Sequence, residues 1–163
     1  MSEQYLSFTL QNSYYGINVR HIQEVLTYTP PVKVPCAVPY IEGLIDSRAE
    51  GITVINLRSK FHLKHVEPDK NTRIIILEIA TPVPDQEDHI SVFGAVADSV
   101  QEVIELSDEE IEPPPKFGNA ISSEYISGLG KKDDKFIILL DPEKVFSSVT
   151  ALGAGQPAAT ALS

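Results

Sequence analysis

The sequence predicts an all-β protein with only short helices. About ten short runs alternate apolar with polar residues or are rich in β-branched ones, which is typical of strands. Many of the 12 Pro and 9 Gly residues fall between these runs, where turns are expected. Helical periodicity is confined to short segments. About ten short strands with few helices therefore argue for an all-β fold.

The N-terminal segments predict two strands and a short helix. Residues 5–10 and 14–18 alternate in character, and a polar turn at residues 11–13 joins them. From residue 19 to 26 the apolar residues recur every three or four positions instead of every two, which predicts about two turns of helix. The apolar residues that would share one helical face are Val19, Ile22 and Leu26.

The centre of the chain predicts an extended connector followed by a hairpin. Residues 29–39 contain four prolines, which fix φ and remove donors, so this segment is not an internal strand. Two apolar runs, residues 44–45 and 52–57, then flank a polar corner at residues 46–51. Arg48 at the corner and Arg58 after the second run carry planar donor forks suited to fixed partners. Each is either an internal structural contact or a contact to another molecule.

The C-terminal half predicts further strands and two capped helical turns. One helical turn is expected within residues 57–63, and a surface loop is expected at residues 81–89, which are acidic and contain proline. Ser107 caps an acidic turn, and Asp141 precedes Pro142 at the start of a last short helix. Further strands are predicted at residues 73–79, 90–96, 100–106 and 136–140, the last of them buried. Residues 151–163 lack periodic bulky apolar groups and are predicted to be a disordered tail.

Composition and charge limit the classes of partner. The chain has 163 residues, enough for one domain or for two very small cores that share an interface. Its 13 Lys and Arg against 23 Asp and Glu give a net charge of −10. This balance argues against nucleic acid and anionic membranes as partners, because both are bound by clustered basic residues. It suits a basic protein surface.

The sequence predicts a cytoplasmic location. Cys36 is the single cysteine, so no internal disulfide is possible and a reducing compartment is expected. The first ten residues lack the pattern of a signal peptide. The longest apolar runs, such as residues 136–140, are far too short for a membrane span, so no direct membrane insertion is expected.

No catalytic, metal or cofactor motif emerges from the sequence. Cys36 has no local histidine and is better interpreted as a small apolar residue than as a nucleophile. His62 and His65 have the spacing of two metal ligands but no nearby third ligand, which favours a solvated pair. Residues 127–132 lack the spacing of a phosphate-binding loop, and the acidic residues 108–112 lack the bend of a calcium loop. We therefore expect no enzyme activity, no metal and no cofactor.

The central hairpin nevertheless resembles a known family. The pattern Gly43-x-Ile45-x-x-Arg48, followed by Ile52-x-Val54-Ile55-x-Leu57-Arg58-x-x-Phe61, resembles the centre of the CheW family of chemotaxis coupling proteins. Later matches are Ile111-x-Pro113-x-Pro115-x-Phe117 and Glu124-Tyr125-Ile126-x-Gly128-Leu129-Gly130. The resemblance covers roughly residues 4–149. The chain departs from the family pattern at Ser47, Ala49 and Gly51, and at Glu112, where the family usually has a basic residue.

The resemblance implies an architecture of two small five-stranded, SH3-like barrels that share an apolar interface. In this arrangement residues 1–150 form one CheW-like domain. It would contain two closely packed subdomains, approximately residues 14–67 and residues 68–140 plus the first strand.

The resemblance also implies a non-enzymatic adaptor with two protein partners. One is the regulatory domain of a CheA-type histidine kinase, and the other is the helical cytoplasmic tip of a chemoreceptor, which would recruit the adaptor to membrane-associated arrays. The family's receptor-binding positions correspond to Ile22, Gly43, Arg48, Arg73 and Val103. Its kinase-binding positions correspond to Glu112 and Phe117.

Several alternatives remain open at this point. Ile22 and Val103 are equally well interpreted as core residues, Gly43 as a backbone requirement, and Arg48 as an internal contact. A coupling protein of a non-flagellar array, such as one for surface motility, is compatible with the altered central corner. A small-ligand or enzymatic barrel protein is the alternative from a different class.

Overall fold

Two β-sheets form the body of the computed structural model, which describes residues 2–35, 38–47, 50–81, 89–113 and 125–146. The first strands in chain order are β1 (Ser2–Leu10), β2 (Ser13–Asn18), β3 (Ile22–Thr27), β4 (Ile41–Ser47), β5 (Glu50–Asn56) and β6 (Arg73–Thr81). The remaining strands are β7 (His89–Ala97), β8 (Ser99–Ser107), β9 (Ile111–Glu112), β10 (Ile126–Lys132) and β11 (Lys135–Leu140). The helical elements are α1 (Leu57–Lys60), α2 (Pro142–Val145) and two 3-10 turns, Val19–His21 and Asp108–Glu110.

The two sheets take their strands from different parts of the chain. The six-stranded sheet has the order β8-β1-β2-β11-β10-β9 and contains both ends of the described chain, so we call it the terminal sheet. The five-stranded sheet has the order β3-β6-β7-β5-β4, and we call it the central sheet. The predicted all-β class with two small strand units is confirmed. The terminal sheet has one strand more than predicted, the two-residue β9.

Both sheets are built on the same pattern of pairing. In each, an antiparallel hairpin (β1–β2 or β6–β7) is joined by a parallel contact to the last strand of a second antiparallel hairpin (β10–β11 or β4–β5). The hairpin β1–β2 precedes the central-sheet strands β3 to β5, and β6–β7 precedes the terminal-sheet strands β8 to β11. Each half of the chain therefore contributes a hairpin to the other half's sheet.

The predicted subdomain boundary near residues 67 and 68 does not coincide with a change of sheet. Strand β6 pairs with β3, and β7 pairs with β5, across that boundary. The division of the domain into two subdomains stays a prediction.

A shared apolar cluster lies between the sheets and includes Phe8 and Tyr15 from the terminal sheet and Ile75 and Phe93 from the central sheet. Each sheet also has its own smaller cluster, around Leu139 in the terminal sheet and around Ile74, Ile76 and Ile52 in the central sheet. In β6, residues 74–77 are fully buried on both faces, which explains their unbroken apolar sequence. The predicted apolar interface is confirmed.

The helix predicted for residues 19–26 is wrong. Only Val19–His21 forms a 3-10 turn, and Ile22–Thr27 forms strand β3, whose exposure alternates from residue to residue. Pairing with β6 supplies the backbone hydrogen bonds that a helix would otherwise provide. Ile22, Val25 and Thr27 are β-branched and favour a strand.

Strand β11 is less buried than predicted. Its Phe136 side chain is 55% exposed, whereas Ile137, Leu139 and Leu140 are buried. The loop predicted at residues 81–89 falls mostly, and the predicted tail after residue 150 entirely, outside the described residues.

Candidate partner-binding site

The two apolar residues assigned to receptor binding lie in different sheets and differ in exposure. Ile22 begins β3, pairs with Leu77 and packs, partly buried, against the shared cluster. Val103 lies in the middle of β8, pairs with Leu6 and is 53% exposed. Val103 therefore exposes apolar surface, whereas Ile22 contributes to the core.

Gly43 lies where the proline-rich connector crosses strand β4. It is buried and has φ of +144°. A Cβ atom at this position would lie 2.1 Å from the carbonyl oxygen of Val32. Val32 and Leu44 exchange two backbone hydrogen bonds of 2.8 and 2.9 Å beside it. Gly43 thus has a structural role, because only glycine lets the connector pair with β4 here.

Arg73 closes the turn that leads into β6. Its Nη1 atom donates to the carbonyl oxygens of Lys70 at 2.9 Å and Thr72 at 3.0 Å. Two backbone contacts hold this guanidinium against its own turn, so a partner would meet it in a fixed position.

Glu112, which the resemblance assigns to kinase binding, is exposed in β9 and follows an ordered acidic turn. In that turn the Glu110 carboxylate accepts hydrogen bonds from the backbone N–H of Ser107 at 3.0 Å and from its hydroxyl at 3.1 Å. These bonds, with Lys132 nearby, lower the pKa of Glu110. The turn therefore stays negatively charged beside Glu112.

The structure distributes the predicted site over both sheets. Ile22, Gly43 and Arg73 belong to the central sheet, and Val103 and Glu112 belong to the terminal sheet. Strand pairing does not bring Ile22 and Gly43 together, because β3 and β4 stand at opposite ends of the central-sheet order. Arg48 and Phe117 lie outside the described residues.

Arg58, which the sequence left open as an internal or external contact, is an internal one. Its side chain is 12% exposed, and its Nε and Nη2 atoms donate to the Asp98 carboxylate at 2.9 and 2.5 Å. Asp98 also accepts from the backbone N–H of Gln11 at 2.7 Å. The hydrogen bonds to Asp98 raise the pKa of the Arg58 guanidinium. This network connects α1 to the β7–β8 and β1–β2 turns.

Sequence reasoning missed Lys60, the last residue of α1. It is only 8% exposed, and its Nζ atom lies 4.3 Å from the centroid of the Tyr40 ring and 5.4 Å from that of Tyr125. The signal that identifies this environment is a repeat: Tyr-Ile-x-Gly-Leu occurs at residues 40–44 and again at residues 125–129.

A groove lies between the connector and the segment after α1. It encloses about 640 Å³ and is lined by prolines such as Pro30 and by polar residues such as Glu42. Glu42 accepts a hydrogen bond from Asn56 Nδ2 at 2.6 Å, so the polar groups of the groove pair with one another. His65 contacts Glu67 at 3.2 Å. Two pairs of polar side chains thus satisfy one another within the groove.

Two other kinds of site are absent from the residues that the structure describes. Within the described ranges, no three His, Cys, Asp or Glu side chains are grouped to hold a metal ion. None of the helices in the described part of the chain has the length and apolar character needed to cross a membrane.

Comparison with known proteins identifies the family. Residues 4–150 match the CheW-like domain. The chain is 33% identical over 148 residues to the chemotaxis protein CheW of Klebsiella aerogenes, covering 91% of this chain and 84% of that protein. It is 31% identical over 145 residues to the chemotaxis protein CheW of Treponema pallidum, covering 89% and 82%.

A solved structure agrees with these matches. The crystal structure of the scaffolding protein TtCheW from Thermoanaerobacter tengcongensis is similar with a TM-score of 0.75 and 32% sequence identity, over 90% of this chain and 88% of that one. The protein therefore belongs to the family of CheW-like domains.

Proposed function

We propose that this protein is a non-enzymatic adaptor that couples the cytoplasmic tip of a chemoreceptor to the regulatory domain of a CheA-type histidine kinase. The match of residues 4–150 to the CheW-like domain is the observation that carries the proposal. Membership in this family supports a scaffolding role, and the internally paired polar groups of the groove beside the connector are consistent with function through surfaces.

The receptor surface of this proposal includes the exposed Val103 and the central-sheet residues Ile22, Gly43 and Arg73, with Arg48 at the hairpin corner. An amphipathic helical hairpin binds by laying apolar side chains into a groove, and Val103 offers apolar area for that contact. Binding to the receptor would recruit the adaptor from the cytoplasm to membrane-associated arrays.

The kinase surface includes Glu112 and Phe117. Aromatic residues are enriched at the centres of interfaces, which supports Phe117 as an anchor. Glu112 requires a neutral or basic group opposite it, because a carboxylate opposite another carboxylate costs free energy. The adaptor acts by linkage: it biases kinase activity only if it binds the receptor differently in its two signalling states.

The test is reconstitution with a purified receptor tip and a CheA-type kinase. We expect the adaptor to bind both partners at once. We expect receptor-dependent kinase activity only when the adaptor is present. Arg48→Asp should abolish receptor binding and leave the fold intact. Phe117→Ser should weaken kinase binding by ~1–3 kcal/mol, the usual cost of losing an aromatic anchor.

A matched control separates surface effects from general ones. Val103→Asp should weaken receptor binding, whereas Ile90→Asp should not, although Ile90 is a similarly exposed β-branched residue at 50%. Binding of neither partner by the folded wild-type protein would contradict the proposed function. Unchanged kinase affinity in Phe117→Ser would contradict the kinase surface.

A further inference from the structure

The two sheets meet mainly through the apolar side chains of the shared cluster. The shared cluster is composed of aliphatic and aromatic side chains from both sheets. Apolar burial is non-directional and depends on the area removed from water. Contacts with a defined geometry therefore add to the orientation that close packing of the cluster provides.

Helix α1 supplies two such contacts, both made by cations. Arg58 reaches the turns that hold Asp98 and Gln11, as described above. Lys60, at the end of the same helix, lies over the rings of Tyr40 and Tyr125. Tyr40 leads into β4 of the central sheet, and Tyr125 leads into β10 of the terminal sheet.

The two tyrosines occupy equivalent positions in the two halves of the fold. The Tyr40 carbonyl oxygen accepts from the backbone N–H of Asn56 at 2.7 Å, and the Tyr125 carbonyl oxygen accepts from that of Asp141 at 2.9 Å. Asn56 and Asp141 are in turn the capping residues of α1 and α2. Each ring is thereby held at the junction between a strand and a helix of its own sheet, and Lys60 contacts both.

We propose that Lys60 is a positioning residue that fixes the orientation of the central sheet relative to the terminal sheet. The attraction between a cation and an aromatic ring is strongest when the cation is removed from water, and Lys60 is almost fully buried. The contact is directional, because the ammonium group must stay over both ring faces. Sliding of one sheet past the other would move one tyrosine away from it.

The consequence for the adaptor rests on the function proposed above. Three of the receptor-binding positions lie in the central sheet, and the kinase-binding Glu112 lies in the terminal sheet. Lys60 would therefore set the geometry in which the two partners are held, without contacting either of them. Its loss should affect coupling more than binding.

The first experiment measures the orientation directly in the full chain. Spin labels are placed at the exposed positions Glu78 in β6 and Gln101 in β8, in a background in which Cys36 is replaced by serine. We expect pulsed electron paramagnetic resonance to give one narrow distance distribution in the parent protein. Lys60→Met should broaden or shift it, and Lys60→Arg, which keeps a cation, should restore it.

The matched control is Lys144→Met, which removes the exposed lysine of the equivalent helix α2 and should leave the distribution unchanged. If Lys60→Met does not fold, Tyr125→Leu removes the ring on the terminal-sheet side and keeps the lysine; it should broaden the distribution as well. The inference would be overturned if a folded variant that lacks Lys60 or the Tyr125 ring gave a distribution with the same width and the same centre as that of the parent.

The second experiment separates this inference from the proposed function. In Lys60→Met, affinity for each partner alone should stay within about twofold of the parent value, whereas receptor-dependent kinase stimulation should fall by about tenfold. If the parent protein binds neither partner, the proposed function fails but the spin-label result still decides the role of Lys60. If stimulation is unchanged while both partners bind, the positioning role is wrong.

Discussion

Gly43 and Val32 are in contact in a way that excludes any side chain at position 43. A Cβ atom on Gly43 would lie 2.1 Å from the Val32 carbonyl oxygen. Cβ atoms in proteins essentially never approach another heavy atom more closely than 3.0 Å. The connector that contains Val32 is thereby held on strand β4. A residue that the family pattern assigns to partner binding thus has a backbone reason to be glycine.

We predict that Gly43→Ala detaches the connector from β4. The substitution combines a steric clash with a positive φ, which together should cost about 1–3 kcal/mol or more. Urea unfolding measures the loss, and hydrogen exchange at the Val32 amide should become faster. Gly51→Ala, at an exposed position on the paired strand, is the control and should have little effect. Slow exchange at Val32 in folded Gly43→Ala would show that the bridge does not depend on glycine.

The Arg58–Asp98 contact gives a second prediction, because it depends on geometry as well as charge. Arg58 uses separate nitrogen atoms for Asp98 and for the Lys64 carbonyl oxygen, at 2.7 Å for the latter. Lysine keeps the charge but cannot form this fork. Arg58→Lys should therefore destabilise the fold by about 1.5–3 kcal/mol, the range for hydrogen bonds to charged groups.

Denaturant unfolding of Arg58→Lys and Asp98→Asn, singly and together, tests that prediction. Because both substitutions break one network, their effects should be less than additive. Strictly additive losses would show that the two side chains act independently.

The raised pKa of Tyr15 predicts that the protein loses stability at alkaline pH. Its side chain is 3% exposed in the shared cluster, and burial, together with the nearby charge of Asp98, raises its pKa to about 12 from the ordinary value of 10.0. A folded pKa above the unfolded value stabilises the protein fully below pH 10, and this contribution is lost as pH rises towards the folded pKa. The contribution is roughly 2–3 kcal/mol.

Unfolding free energies measured from pH 8 to pH 12 test the role of Tyr15. Tyr15→Phe should lose less stability than the parent over this range, because phenylalanine cannot ionise, and the variant should lack one tyrosinate absorbance step near the upper limit. Parallel losses in the two proteins would mean that Tyr15 ionises without unfolding.

The strand content could be predicted from sequence wherever alternation and turn residues coincide. The central hairpin follows its period of two, with Ile52 in the central-sheet cluster and Ile55 in the shared cluster. The caps at Asn56 and Asp141 also follow from local chemistry, since a side-chain oxygen accepts a backbone N–H at each helix start. These features depend on residues that are close in sequence.

The features that could not be predicted depend on residues far apart in sequence. Strand β3 has helix-like apolar spacing, and the strand β6 that pairs with it lies about 50 residues further along the chain. Each half of the chain contributes a hairpin to the other half's sheet, and no local sequence pattern indicates this exchange. The environment of Lys60 likewise requires Tyr125, which lies in the other half of the chain. The placement of the partner-binding residues stays a prediction, because no partner contact constrains it.

Two buried serines give a final prediction, in which their replacement by alanine changes the stability of the protein in opposite directions. Ser91 in β7 is fully buried, and its Oγ atom has no hydrogen-bond partner among the described residues. Ser7 in β1 is 4% exposed, but its Oγ atom donates to the Glu102 carbonyl oxygen at 2.9 Å and accepts from the Glu102 N–H at 3.2 Å. Ser7 lies at the register shift between β1 and β8, so its hydroxyl takes the place of a missing backbone contact.

Ser91→Ala should therefore stabilise the protein by about 1 kcal/mol, because it removes a buried hydroxyl without a described partner. Ser7→Ala should destabilise it by about 0.5–1.5 kcal/mol, because it removes two partly buried hydrogen bonds to the Glu102 backbone. Thermal and urea unfolding of both variants measure the two effects, and each variant is the control for the other, since both delete one serine hydroxyl from a strand. Destabilisation of Ser91→Ala similar to that of Ser7→Ala would mean that the Ser91 hydroxyl is hydrogen-bonded in solution.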